Sequence, residues 1–595
     1  MKIPALRFLA AGAAIGGAVL TGAPLAAQDP ATATEADPPP IYTEVVDVRV
    51  INVDVVVTDR SGKSIVGLEP QDFELRVDGE PMPISNFYAE QGGFVGRVTG
   101  TTDRPAQPAD SEFRSLEEVR DEAPRRAHVV ILVDHTRLRP TNRTRAFNAL
   151  REVLDSLGSE DLIAVVGVES SLVFYSDFLY DRRAVNRILD DLTGVSAASD
   201  NINAMERRQI FGELARGMSG GIQARASLAD ESSIMSRIRA YAEQEYQRSL
   251  SSLRQIETVV STLSGLPGRK ALLYVGEGIP TRPGEGLYVE WRNRFGGGNP
   301  DADIGLRRFD FNTDYTREVG RYDLTQPVIA LSRSANRSGV SLYAIDAEGN
   351  HGAEIRSALT EQGATSETLS VVDENFRAPL EAATKATGGR LLRSSGLLAD
   401  QLLDVVGDLQ TFYSLGFTAP DGWQSGTDHK IEVKVKGQKF VVRHREEVRL
   451  PDADEVEASA TVAALMYQAA NNPLEIRGVT GETFQREDGA IALRVDLEIP
   501  VAKLAFLPGN ETQAGSLTIY VTKKGADGNP SQVQKIPFHL NIPDEAMEQA
   551  MNDSARYPLP VVLQPGDQQV AIGVRDDVNG IFSAIRLDVA EFSRF

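Results

Sequence analysis

The chain of 595 residues contains no cysteine. Disulfides, cysteine-ligated metals and a lipid anchor on a cysteine are thereby excluded, so stability must come from packing. Histidine is scarce, at six residues, and none forms H-E-x-x-H, which removes the helix-borne zinc hydrolases. Basic residues are in deficit, 62 against 84 acidic ones, for a net charge of −22. That balance argues against a nucleic-acid binder and against docking on anionic lipid. Beyond residue 27 no stretch is apolar enough to span a membrane. Residues 265–270 contain two glycines and a lysine but lack the spacing of a phosphate loop.

The remaining composition is that of ordinary globular protein, and the length predicts about three domains. Residues 1–27 read as a secretory signal. Lys2 and Arg7 give a positive start, a short apolar segment follows, and Pro24-Leu25-Ala26-Ala27 gives a small-residue exit. The expectation is cleavage near Ala27 and a secreted or periplasmic protein; the alternative is an uncleaved N-terminal anchor. Residues 28–44, with Pro38-Pro39-Pro40, form a stiff polar linker.

One stretch organises the rest: HVVILVDHTRL, residues 128–138. Val129, Val130, Ile131, Leu132 and Val133 run into Asp134 with no polar alternation, which suits a strand covered on both faces of a parallel sheet. Asp134 and Thr136 fall where strand becomes loop. Phe147, Leu150, Val153, Leu154 and Leu157 then recur at helical spacing. Strand, acidic loop and helix make half of a doubly wound α/β unit, whose ligands bind at the carboxyl ends of the strands. Similar units recur, with strands over 162–168, 172–178, 271–275 and 340–345, and Glu277 and Asp346 at two of their ends. The three-residue link Glu169-Ser170-Ser171 predicts that strand 172–178 is antiparallel, because a parallel pair needs a long crossover. The α/β domain is expected over residues 126–418, with insertions near 195–233 and 280–316. Before it lie a small β module at 45–90 and a linker at 91–125. After it come a β hairpin at 428–446 around Gly437, a helix at 452–470 and a β-rich, sandwich-like domain at 474–595.

Other chemistry-bearing patterns are weaker. Gly217, Ser219 and Gly221 match G-x-S-x-G, but a nucleophile elbow needs a buried strand before it, and the preceding residues are polar. Asp301-Ala302-Asp303 and Asp452-Ala453-Asp454 are fragments of calcium-loop chemistry. Trp291 and Phe295, in the second insertion, form either an exposed contact for a partner or local packing.

In order, NVDVVVTDRSGKSIVGLEPQDFELRVDG, HVVILVDHT, PGRKALLYVGEG, RSGVSLYAIDAEG, ATGGRLL, LQTFYSLGFTAPDG and HKIEVKVKG span roughly residues 45–445. This series resembles a von Willebrand factor A-type domain, and specifically the secreted, acidobacterial-type bacterial family with VWFA-related domains. The resemblance implies a metal-ion-dependent adhesion site, in which oxygens from three loops hold Mg²⁺ and a partner's carboxylate completes the shell. On this chain it maps to Asp134 and Thr136 in the first loop, Asp200 in the second, and Glu277 in place of the third-loop aspartate. Leu138 falls on the position of the second first-loop hydroxyl and offers no oxygen. The site is then either a metal site holding Mg²⁺ or a vestigial one, in which Asp134 serves the loop. The expected function is an extracytoplasmic protein-binding or adhesion-type module with no chemistry of its own, meeting a protein partner through Asp134, Glu277 and Trp291. The alternatives are a structural envelope protein with an inactive cleft, and a serine hydrolase using Ser219.

Overall fold

The computed structural model describes residues 50–91, 94–96, 127–195, 198–216, 228–295, 311–351, 366–393, 397–420, 422–437, 439–468, 471–486, 490–567, 569–590 and 592. The expected signal, residues 1–27, and the linker 28–44 lie outside them. Among the described residues, no helix is long and apolar enough to cross a membrane.

The first strands are β1 (Val50–Thr58), β2 (Phe73–Val77), β3 (Glu80–Met82), β4 (Asn86–Gln91) and β5 (Phe94–Gly96). The α/β region opens with β6 (His128–Asp134), buried at every position, and helix α1 (Pro140–Leu154), which starts on a proline whose missing N–H costs nothing there. There follow β7 (Leu162–Val168), β8 (Leu172–Phe174), α2 (Arg182–Thr193), α3 (Ala198–Arg216) and the 36-residue α4 (Leu228–Leu263). Then come β9 (Lys270–Gly276), α5 (Glu285–Phe295), α6 (Phe311–Gly320), α7 (Thr325–Ser338), β10 (Val340–Asp346), α8 (Ser366–Ala386), β11 (Leu391–Arg393) and α9 (Leu398–Gln410).

The central sheet runs β11-β10-β9-β6-β7-β8. All its pairs are parallel except β7 with β8, which the short 169–171 link forces to be antiparallel. Alternate residues of β6 face opposite cores. Val130 and Leu132 pack with α4, α7 and α8. Val129, Ile131 and Val133 pack with α1, α2 and α9. Helices on both faces explain the unbroken apolar run.

Two expectations are corrected here. The α/β domain ends earlier than residue 418, because β12 (Thr411–Thr418) leaves the central sheet. It pairs antiparallel with β1 on one side and β4 on the other. Residues 428–446 are also not a hairpin. β13 (Asp428–Val435) pairs with β2 and with β15 (Glu447–Arg449), whereas β14 (Val441–His444) pairs with β1. The two strands flanking Gly437 thus belong to different sheets, β14-β1-β12-β4-β5 and β15-β13-β2-β3. These sheets enclose one core that includes Val53, Val55, Phe73, Leu75, Tyr413, Leu415, Phe417 and Ile431. Neither chain segment could bury that much apolar surface alone. The β layer is therefore one discontinuous unit, interrupted by the α/β region.

Helix α10 (Ala453–Tyr467), capped by the Asp452 side chain accepting from the Glu455 amide at 2.9 Å, leads to the last region. Ala463, Leu465, Met466 and Tyr467 join the α4 face of the central core, and the Tyr467 and Thr262 hydroxyls meet at 2.7 Å. Beyond it, β16 (Arg477–Gln485), β17 (Ile491–Pro500) and β21 (Ser554–Leu563) form one sheet. A second contains β18 (Leu507–Pro508), β19 (Thr512–Lys524), β20 (Gln534–Pro543), β22 (Gln569–Asp576) and β23 (Phe582–Asp588). The two share a core of Leu493, Val495, Leu517, Ile519, Val561, Ile572 and neighbours.

Candidate functional site

Parallel register brings the carboxyl ends of β6, β9 and β10 to one level: Asp134 is level with Val168, and Asp346 with Gly276. At this edge the sequence places Asp134, Glu277, Asp346 and Glu348. Each is met by donors from the chain itself.

Asp134 is fully buried. Its Oδ1 accepts from the Thr136 amide at 3.0 Å and the Thr136 hydroxyl at 2.6 Å. Its Oδ2 accepts from Ser252 Oγ on α4 and Tyr274 OH on β9, both at 2.9 Å. Burial, followed by the field of Asp134, pushes the Tyr274 hydroxyl well above its ordinary pKa, so it stays a donor. Glu277 Oε1 accepts from the Arg139 amide and from Asn142 Nδ2, both at 2.8 Å, and Oε2 pairs with Arg139 Nε at 2.7 Å. Gly278 follows in the left-handed region at φ +76°, where a Cβ would come within 3.0 Å of the Phe376 carbonyl oxygen. The turn out of β9 therefore needs glycine.

Arginines occupy the space between these carboxylates. Arg137, buried, pairs with Glu245 at 2.8 Å and donates to Ser249 Oγ at 2.7 Å. Burial opposes its charge, yet Glu245 holds it above the usual arginine range; Glu245 in turn is held below the usual carboxylate range, burial opposing, by Arg137 and Arg248. Arg139 bridges Glu277 and, at 3.1 Å, Glu348. His351 lies between Asp346, 3.1 Å from Nε2, and Glu348, 3.0 Å from Nδ1, and stacks on Phe376 with centroids 4.6 Å apart. Burial works against its charge, but Asp346 and then Glu348 raise its pKa to about 9. Glu348 is lowered to about 2, against burial, chiefly by the His351 bond.

A second set of helices closes over this edge. Ile210, Phe211 and Leu214 of α3, Ile238, Tyr241 and Ala242 of α4, and Leu287, Tyr288 and Trp291 of α5 form a separate apolar core with Val319, Tyr322 and Val372. Between this cap and the sheet edge lies a narrow cleft open to solvent, with Asn203, Arg207 and Tyr241 on the cap side.

The residues singled out from sequence fare differently. Asp134, Thr136 and Glu277 stand at the same sheet edge. Leu138 is buried in the core beside α1. Asp200 falls on α3, but its side chain is outside the described residues, as is Ser219. Trp291 is corrected: at 7% exposure it packs inside the cap and presents no contact surface. In the insertion at 195–233, residues 198–216 and 228–233 are helical, and sequence reasoning missed their contribution to the cleft. A signal was present, because Asn203, Arg207, Ile210, Phe211 and Leu214 recur at helical spacing, with the polar members nearest the cleft.

Mg²⁺ does not fit these residues. It needs about six oxygens in a near-octahedral shell. Asp134 spends its oxygens on four internal donors, Glu277 is tied to Arg139 and Asn142, and Leu138 supplies none. A divalent cation would also sit beside the Arg137 and Arg139 guanidiniums. Among the described residues, no group of three or more histidine, aspartate or glutamate side chains is arranged to hold a metal ion.

No protein-family model matches the chain, and no curated protein matches it. Solved structures show slight likeness. An aerotolerance-related membrane protein from Bacteroides fragilis is 9% identical, over 48% of this chain and 98% of that one, at a TM-score of 0.22. A von Willebrand factor type A protein from Catenulispora acidiphila is 10% identical, over 56% and 71%, at 0.18. Three N-terminal domains of a type V pili tip protein from Porphyromonas gingivalis are 10% identical, over 76% and 75%, at 0.20. At these scores none of them decides the fold, which is read from strand order and register. In order along the sheet the central strands run 3-2-1-4-5-6, a mostly parallel sheet in a mixed α/β region.

Proposed function

We propose that the chain is an extracytoplasmic protein-binding, adhesion-type module built on a von Willebrand factor A-type domain, with sandwich-like β layers on either side in sequence, and that its carboxyl-edge site works without a metal ion. The observation that carries the metal-free reading is Arg139, whose guanidinium bridges Glu277 and Glu348 where the family resemblance would place a cation. In this reading the adhesion site is degenerate in its oxygen ligands and has replaced the ion by covalently attached charge. Guanidinium is a permanent cation with a planar fork suited to carboxylates. Secretion after cleavage near Ala27 belongs to the same proposal.

The module has no chemistry of its own. Among the described residues one serine, Ser516, contacts a histidine, His539, at 3.3 Å. That pair is exposed, and Asp577 accepts from Ser516 at 3.0 Å rather than orienting the imidazole. A hydrolytic triad needs the reverse order, acid to histidine to hydroxyl. A structural envelope protein with an inert cleft is the rival reading. Calorimetric titration of the whole protein with Mg²⁺ and Mn²⁺, beside Asp134→Ala, tests the site: no heat of binding from either protein is expected. Saturable heat from the wild type alone would restore the metal-dependent adhesion site.

A further inference from the structure

Apart from the two-residue β18, the sandwich-like last region has four marginal strands: β16, β20, β21 and β23. An edge strand presents unpaired N–H and C=O groups, and three of these four are closed. In β20, Pro537 stands opposite Thr518 and Pro543 opposite Thr512. A proline has no N–H, so it fits where its nitrogen points away from the partner strand, and both therefore block the free side. Pro558 and Pro560, opposite Asp496 and Arg494, block β21 in the same way. β23 is covered by preceding chain: the Ala584 amide donates to the Asn471 carbonyl at 2.9 Å, and Arg586 to the Leu465 carbonyl at 3.1 Å. β16 has neither device. Its sequence, RGVTGETFQ, contains no proline, and among the described residues no strand pairs with its outer side.

The prolines also fix which groups of β16 face outward. Because Pro558 and Pro560 turn their nitrogens from β17, Asp496 and Arg494 turn their N–H and C=O groups toward β16. Asp496 stands opposite Val479 and Glu498 opposite Arg477, so Arg477 and Val479 are bonded to β17. Gly478 and Thr480 therefore aim their backbone groups at the free side. The register shifts between Thr480, opposite Val495, and Thr483, opposite Leu493. Gly481 and Glu482 thus share the place opposite Arg494, a β-bulge. Beyond it Phe484, opposite Ala492, is bonded to β17, and Thr483 and Gln485 aim outward. The bulge leaves Val479 and Phe484 on the same face of the sheet, where they are 54% and 55% exposed. Gly478 has the opposite orientation: a Cβ there would stand 2.9 Å from Leu587 Cδ1 in the core.

We propose that β16 pairs antiparallel with β16 of a second copy of this chain, about a two-fold axis between Thr480 and Gly481. A ladder forms when outward-facing residues stand opposite one another. Setting Gly478 opposite the second copy's Thr483 does this, and the two bulges then face each other, so neither strand slips. Arg477 stands opposite the second copy's Phe484 and diagonal to its Glu482, and the two-fold repeats both contacts. A guanidinium on an aromatic ring and opposite charges on a diagonal are each favourable. The exposed Val479 and Phe484 of both copies come together on one face of the joined sheet. Neighbouring charges on that face are already paired within the chain, Arg494 with Asp496 at 2.7 Å and Arg556 with Glu498 at 3.3 Å. The pairing uses neither the carboxyl edge of the central sheet nor a metal ion.

The test is sedimentation of the full chain over a concentration series from about 1 μM to about 1 mM. Each copy carries −22, so the salt is set at about 0.15 M, where charges more than about 8 Å apart are screened. A reversible monomer–dimer equilibrium is expected. Phe484→Lys should abolish it, with an unchanged melting curve showing that the sandwich is intact. Arg477→Glu and Glu482→Arg each turn two attractions into repulsions and should each weaken the dimer roughly tenfold, whereas the double variant should recover it. Amide exchange at Gly478 and Thr483 should slow on dimerisation, while Val479 and Phe484, bonded to β17, should not change. A monomer throughout would overturn the proposal and leave the edge to a strand from another polypeptide. A dimer indifferent to Phe484→Lys, or a double variant as weak as the single ones, would overturn it too by placing the contact elsewhere.

Discussion

At the residue scale, the carboxyl edge is a set of acids that the chain neutralises from within. Asp134 is the clearest case. Removing it as Asp134→Ala leaves the Ser252, Tyr274 and Thr136 donors without their acceptor, and a loss of about 2–4 kcal/mol is expected in urea unfolding. His351 gives a pH signature. Its folded pKa, about 9, lies above the ordinary value near 6.5. The folded state therefore binds the extra proton between those values, so this stabilisation is fully present below about pH 6.5 and lost as pH rises through 9. His351→Gln should flatten the fall in melting temperature over that window; an unchanged slope would mean that the imidazole is neutral. Asp134, Thr136 and Glu277 could be named from sequence because they follow apolar strands directly. The roles of Arg137 and Arg139 were not legible, since a loop arginine reads as solvated until its carboxylate partners, more than a hundred residues distant, are brought beside it.

At the scale of elements, two of the contacts between layers are open to test. Asp408 on α9 is 1% exposed and accepts from both terminal nitrogens of Arg443 at 2.6 Å, and from Arg390 at 3.0 Å. It joins the α/β region to β14. Asp408→Ala would leave two guanidiniums facing each other, and a loss of about 3–5 kcal/mol is expected. Gly265, between α4 and β9, lies against α10; a Cβ there would stand 2.2 Å from the Ser459 carbonyl oxygen. Backbone cannot rotate away as a side chain can, so Gly265→Ala should cost about 1–3 kcal/mol. Proteolysis between α10 and the central sheet should accelerate in this variant; unchanged rates would show that the helices can separate without cost. The central strands were legible because a buried parallel strand is apolar without alternation. Strand β12 was misplaced because its pattern fixes a strand but not its partners. It follows α9 without a break, and its partners β1 and β4, more than about 300 residues earlier, show which sheet it completes. The 428–446 hairpin failed likewise, since the turn at Gly437 reads locally as a hairpin while the ladder of each strand lies elsewhere.

At the scale of the whole molecule, the β layer is assembled from two distant pieces of chain, with the α/β region between them. Residues 50–96 alone lack the strands that flank β1 and should be unfolded by amide dispersion. Adding a peptide of residues 411–449 should restore β1 between β12 and β14, and failure of the pair to associate would argue that the α/β region is needed to bring them together. The same arrangement places the carboxyl edge under a helical cap, where in the proposed reading built-in arginines stand in for an ion. That metal independence is the claim on which the functional reading depends, and melting of the full chain tests it directly. A cation that bound only the folded state at a hundredfold excess over its Kd would add about 2.7 kcal/mol of stability and raise the melting temperature. Superimposable melts in EDTA, Mg²⁺ and Mn²⁺ are the predicted result. A rise in Mg²⁺ or Mn²⁺ that Asp134→Ala abolishes would contradict it.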